Sequence, residues 1–227
     1  MTPLDRLLAK VDPLFKSAAF DEKALPAGLK LHKLHRELLK RRNGGYFWGG
    51  ALHIFGACAE PTTHSLAAWN EPELWRTAYG TGAFEGFTFF AEDAFGDQFA
   101  LDAAGKVFQL KAERGAMDEL ADDFEQWLLV AVEAPDELLG RGTFTRWVSK
   151  NGHLPYGSQL QAFPPFLFAE DAEQLQLSAV DAIENMIFHA DLAQQLASIP
   201  EGVRVKVEFT EEGMQITTEE APAVQGS

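Results

Sequence analysis

Between Phe87 and Leu110, apolar residues alternate in three short runs, FTFFAEDAFGDQFALDAAGKVFQL. The runs break at Glu92–Asp97 and at Asp102–Gly105, which predicts a three-strand meander. The period then changes. Leu120, Phe124, Trp127, Leu128 and Val132 recur at helical spacing, while Asp118, Asp122, Asp123 and Glu125 fall off that face. This predicts an acidic amphipathic helix that stops at Ala134–Pro135.

Upstream, Leu4, Leu7, Leu8, Val11 and Phe15 predict a first helix disturbed by Pro13. A second helix is predicted to open at Pro26-Ala27-Gly28, with Leu31, Leu34, Leu38 and Leu39 on one face. Lys40, Arg41 and Arg42 suit the negative end of its dipole, and Asn43-Gly44-Gly45 supplies the stop. Residues 51–55 read as a strand. Asn70, with Pro72 and Glu73 following, reads as the N-cap of a short helix running to Tyr79.

Downstream of Pro135 the pattern is less regular. Leu154-Pro155-Tyr156-Gly157 and Phe163-Pro164-Pro165 mark loops, and Phe166–Phe168 reads as a short strand. Val180–Ser198 is predicted helical, with an interruption near Phe188-His189. A turn at Ile199–Gly202 leads into a hairpin, Val203–Phe209 with Met214–Thr218. Strands in one block with helices on either side give an α+β fold. The expectation is a mixed or antiparallel sheet with helices packed on one side, plus a C-terminal helix and β-hairpin.

A helix ending Arg41-Arg42-Asn43-Gly44-Gly45, a strand, the Trp69–Trp75 segment, the meander with Phe95-Gly96-Asp97, Asp102 and Gly105-Lys106-Val107, and an acidic helix follow in that order. In this order the chain resembles the SUKH superfamily of bacterial immunity and adaptor domains over residues 1–135. The resemblance implies a protein-binding domain, not a catalyst, and neutralisation of a polymorphic toxin, often a nuclease. It also leaves room for a regulatory adaptor, since fungal cell-wall signalling proteins and a bacterial translocon-associated protein share the superfamily. Residues 136–218 are then a C-terminal extension packed on the first domain, and 219–227 a disordered tail.

Charge narrows the partner. The net charge is −15, with about +5 in residues 1–50 and −20 in the rest. No Lys or Arg lies between Gly115 and Gly140, nor between Asn151 and Val203. Direct binding to nucleic acid or to an anionic membrane is disfavoured, because phosphates need a cationic surface. A basic protein is the natural counterpart. Solubility alone is the blander explanation of the same acidity. The single cysteine, Cys58, excludes an intrachain disulfide. With no apolar run near ~20 residues and no secretory signal at the start, the expected location is the cytoplasm.

Candidate chemistry is sparse. Glu92, Asp93 and Asp97 are oxygen ligands in kind, but turn chemistry explains them better. His32 and His35 lie three apart on a helix without an HExxH pattern. Cys58 has His53 and His64 near it in sequence, yet a buried structural cysteine is the commoner case. No catalytic residue, metal site or cofactor is expected. A hydrolase with a site built from dispersed acids stays open as an alternative. Trp48 and Trp69 are candidate partner anchors, because interfaces favour tryptophan at their centres. Asp118, Asp122, Asp123 and Glu125 are the candidate docking acids.

Overall fold

The structure, a computed structural model, describes residues 1–59, 64–169, 175–200, 203, 205–210 and 213–218. The expected tail at 219–227 and the turn residues Glu201 and Gly202 lie outside the described residues. Among the described residues no helix is long and apolar enough to cross a membrane.

The fold is α+β, with a six-stranded antiparallel sheet in chain order. Its strands are β1 (Gly45–Phe47), β2 (Leu52–Ile54), β3 (Thr88–Asp93), β4 (Gln98–Leu101), β5 (Val107–Lys111) and β6 (Ala116–Ala121). Each strand pairs with the next, through short links from β3 to β6, whereas β2 and β3 are joined by a long connection that includes the helix Leu66–Trp69. Gly44 is needed where β1 and β2 meet. Its φ is 68°, and a Cβ there would sit 2.5 Å from the Gly56 amide and the Ile54 carbonyl.

A bulge in β3 sets what faces what. Phe89 pairs with Ala100 and Ala91 with Phe99, so Phe90 is the extra residue. Phe90 therefore points to one side, and Phe89 and Glu92, three residues apart, share the other. On the Phe90 side, α4 (Phe124–Glu133) packs through Phe124 and Trp127, whose rings lie 5.6 and 4.8 Å from that of Phe90. Helices α1 (Pro3–Leu8) and α2 (Lys33–Arg41) pack against α4. On the Phe89 side lie Trp75, and Trp69 at the end of α3 (Leu66–Trp69). Fully burying each such aromatic contributes roughly 1.5–3 kcal/mol, enough to hold both layers on the sheet.

Several expected elements differ. The first helix stops at Leu8, and Val11 instead bridges Phe47 as an added strand residue. The second starts at Lys33 with His32 as its cap, not at Pro26. Asn70 ends α3 rather than starting a helix, and the following turn is the 3₁₀ segment Arg76–Tyr79. Its side chain meets the β3 edge instead, giving Nδ2 to the Phe89 carbonyl and accepting the Phe89 amide. The expected acidic helix is two elements, strand β6 and helix α4. Gly115 at φ 63° and Asp123 as N-cap are their boundaries.

The region after Pro135 is more ordered than its sequence predicts. It holds α5 (Pro135–Leu139), α6 (Arg141–Asn151), β7 (Ser158–Phe163), β8 (Gln176–Asp181) and α7 (Ala182–Ala197). Phe166–Phe168 is a 3₁₀ turn rather than a strand, and α7 runs unbroken through Phe188 and His189. The hairpin is present as β9 (Val205–Thr210) and β10 (Gly213–Thr218). Gln195 of α7 holds it, giving Nε2 to the Met214 carbonyl and accepting the Ile216 amide. Strand β7 reaches the sheet through the Leu160 amide, 2.6 Å from the Ala94 carbonyl.

Candidate functional site

The candidate docking acids are spread over three local structures. Asp118 is exposed on β6, the outermost strand, and Asp122 is exposed in the turn after it. Asp123 is committed to the fold, since its Oδ1 accepts the Gln126 amide at 2.9 Å and caps α4. Glu125 is exposed in the first turn of α4. Glu119, absent from the sequence expectation, joins them. It pairs with Lys106 at 2.8 Å, and the Lys106 ammonium is raised by Glu119 first and by Asp122 and Asp102 more weakly. Asp118 and Glu119 are adjacent on a strand, so they point to opposite faces of the sheet's rim.

The two tryptophans separate. Trp69 is completely buried, and its Nε1 donates to Gln98 Oε1 at 2.8 Å. It stacks near His64 and Phe55, so it offers a partner no surface. Its expected anchoring role is replaced by a core role, because Gln98 gives its N–H a partner inside. Trp48 is half-buried where β1 ends, with φ 50°. A bulky residue at positive φ is uncommon and is retained only where surrounding structure enforces it.

A cleft of about 540 Å³ lies beside β1 and β2. Tyr46 stacks on His53 with ring centroids 4.1 Å apart, and His53 Nδ1 donates to Glu92 Oε1 at 2.9 Å. Glu92 Oε2 accepts from Gln98 Nε2 at 3.2 Å and from Gln159 Nε2 at 2.8 Å. Three donors around one buried carboxylate compensate its removal from water. Gln159 in turn accepts from Asn185 Nδ2 at 2.9 Å. One buried network thus ties β2, β3 and β4 to β7 and α7. An imidazole held by a carboxylate can act as a base, but here the carboxylate is also the joint between two parts of the fold. Cys58 and His64 line the same cleft, and burial lowers the His64 imidazole. Sequence periodicity missed His53–Glu92, because Glu92 reads as part of a turn. Polar residues at inward strand positions were the available signal.

The other candidates are explained by local bonding. His32 Nδ1 caps α2 by accepting the Leu34 amide, while His35 is buried and stacked 4.4 Å from Phe124. Burial, with a smaller effect from His32, brings the His35 pKa down to about 3. Asp93 Oδ1 accepts the amides of Phe95, Gly96 and Asp97 at 2.9 to 3.0 Å. Burial and then Asp97 push the Asp93 carboxyl well up. Asp97 was expected to bond amides of its own turn. It accepts instead from the Ala112 amide and from Lys111, both at 2.9 Å. Gly96 has φ 107°, and a Cβ there would lie 3.0 Å from Gln159 and His189.

Residues 21–129, just under half of the chain, match the model of the SMI1 / KNR4 family (SUKH-1), which is consistent with a SUKH-superfamily domain there. A crystal structure of Atu4351 from Agrobacterium tumefaciens is similar over 87% of this chain and 86% of that one, with 17% identity and a TM-score of 0.45. No curated protein matches.

Proposed function

We propose that this SUKH-domain protein binds a basic protein partner in the cytoplasm and neutralises it by covering its active site. The partner is a polymorphic toxin of the same or a rival strain. A nuclease fits best, because an enzyme that grips phosphates presents cations for an acidic surface to cover. The observation that carries the reading is the run of exposed acids along the β6 edge, on both of its faces, and the start of α4, comprising Asp118, Glu119, Asp122 and Glu125. Lys106 is the cation paired within it. Half-buried Trp48 is proposed as a separate apolar anchor. Residues 136–218 are proposed as an extension that braces the first domain through the Glu92–Gln159–Asn185 network.

Association with the product of the adjacent gene tests this, measured as rate against ionic strength. Asp118→Lys/Asp122→Lys should slow association about tenfold at low salt and flatten the salt dependence, with little change in melting. Identical curves would remove this band from the interface. Binding that leaves the partner's activity intact would favour the adaptor role. The His53–Glu92 pair is what favours a hydrolase instead. Turnover in a hydrolase screen, lost in Glu92→Gln while the fold persists, would establish that reading.

A further inference from the structure

The cleft beside β1 and β2 holds polar groups that the buried network leaves unused. Tyr46, His53 and Glu92 stand in one row across β1, β2 and β3, each opposite the next. His53 Nδ1 gives its hydrogen to Glu92, so Nε2 is left as an acceptor. Nε2 lies at the outer end of the ring, away from the sheet, and His53 lines the cleft. It has no hydrogen-bond partner among the described residues. Unlike both nitrogens of His35, it is not sealed off.

The Tyr46 ring lies against that of His53, 4.1 Å away. Its Oη accepts the Gly157 amide at 2.8 Å and gives its own hydrogen to no group among the described residues. Burial first, and Glu92 next, raise the Tyr46 phenol, so it stays a donor. A donor and an acceptor thus stand side by side on two residues that are each 5% exposed. Polar atoms so deeply placed are costly to leave unpaired. Aromatic rings surround them. Phe15, Tyr46 and Tyr156 lie 4.8 to 5.2 Å from one another, and exposed Tyr156 carries this wall to the mouth.

We propose that this cleft binds a small aromatic molecule bearing a hydroxyl, whose oxygen accepts from Tyr46 Oη and donates to His53 Nε2 while its ring packs among Phe15, Tyr46 and Tyr156. A hydroxyl matches because it donates and accepts through one atom. A flat ring matches because aromatic walls favour ring contacts. The volume of about 540 Å³ suits a small-molecule site. The site is separate from the acids of β6, since β2 and β6 are four strand spacings apart, roughly 19 Å. It goes beyond the protein-binding reading and does not rest on it.

The test is an NMR titration of the full chain at about pH 8 with phenol, anisole and cyclohexanol. Anisole keeps the ring and the oxygen but has no hydrogen to give. Cyclohexanol keeps the hydroxyl and lacks the aromatic face. The expected result is saturable binding of phenol, roughly millimolar as suits a ligand of so few atoms. The shifts should centre on the His53 ring and on the amides of Gly157 and Ser158. Anisole and cyclohexanol should each bind at least fivefold more weakly. Ala18 is exposed and lines the cleft, so Ala18→Trp should keep the fold and weaken phenol tenfold or more by filling the space. Asp118→Lys, at the far edge of the sheet, should leave phenol binding within twofold. Failure to saturate, equal binding of anisole or cyclohexanol, shifts centred elsewhere, or undiminished binding in Ala18→Trp would overturn the inference. Phenol binding in a chain that finds no basic protein would uphold this site and sink the proposed function.

Discussion

The two edges of the six-stranded sheet are finished in different ways. At β1 the chain closes its own edge. The Asp12 amide donates to the Tyr46 carbonyl at 2.7 Å, and the Trp48 amide to the Lys10 carbonyl at 2.8 Å. Asp12 then holds the next layer, accepting from His153 Nε2 at 2.7 Å and Tyr156 Oη at 3.2 Å. Strand β1 is buried along its whole length. At β6 the outer rim is largely exposed and carries Asp118 and Glu119. Charge is a recognised means of keeping an edge from pairing with another copy. The contrast teaches that the acids of β6 have two tasks. They guard an edge that no strand among the described residues pairs with, and under the proposed function they are also the surface that a basic partner meets.

Four expected outcomes break or sharpen this contrast, beginning with the largest. Acid sensitivity must first be separated from both edges, and buried His35 contributes to it. Its pKa is about 3 in the folded chain, against about 6.5 unfolded. The unfolded state therefore binds the extra proton, and stability falls as pH drops from about 6.5 towards 3. His35→Phe should remove its share of that slope, a gain of about 2 kcal/mol at pH 5 relative to pH 7. Urea unfolding at the two pH values checks it, and an unchanged slope would place the sensitivity elsewhere.

The closed edge comes next. Burial raises the Asp12 carboxyl, but hydrogen bonds from His153, the Leu14 amide and Tyr156 outweigh it and hold the pKa below the usual value. A depressed carboxylate stabilises the fold above its unfolded pKa of about 3.9, and the gain is lost as pH falls through the folded value. Asp12→Asn should cost about 1.5 kcal/mol at pH 7. Its difference from wild type should shrink below about pH 4. A cost that persists in acid would mean that packing, not charge, closes this edge.

At the open edge, Asp123→Ala should lower stability by about 1 kcal/mol, the scale of a lost N-cap. It should leave the association rate nearly unchanged, in contrast to Asp122→Lys. The smallest stability effect belongs to Asp118→Asn/Glu119→Gln, within about 0.5 kcal/mol as for exposed positions. That pair should nonetheless promote self-association, read by sedimentation at rising concentration. A strictly monomeric double variant would show that charge is not what protects β6.

Much of the architecture was legible locally. The meander, the stop at Ala134–Pro135 and the Val203–Phe209 alternation each depend on neighbours in sequence, and each appears near its expected place. Strand β6 was not legible, because Ala-Met-Asp-Glu-Leu-Ala favours a helix in isolation and becomes a strand only by pairing with β5. Gly115 and Asp122-Asp123 did mark its two ends. Asn70 had the sequence signature of an N-cap, yet the bare edge of β3 at Phe89 took its side chain instead. Of the candidate acids, Asp118, Asp122 and Glu125 are exposed as expected, while Asp123 belongs to a helix cap.

The sequence by itself determined the α+β class, the SUKH resemblance and the acidic bias, since periodicity, chain stops and charge are properties of short stretches and of sums. The tertiary structure decided which edge was closed, where the bulge at Phe90 turned Glu92 inward, and that Glu92 would join His53, Gln98 and Gln159. It also decided that His189, 94 residues from Phe95, would share a hydrogen bond with it and line an acidic cleft. These are contacts between distant segments. Their energies depend on burial and pairing that form only when the chain is folded, so no local pattern records them.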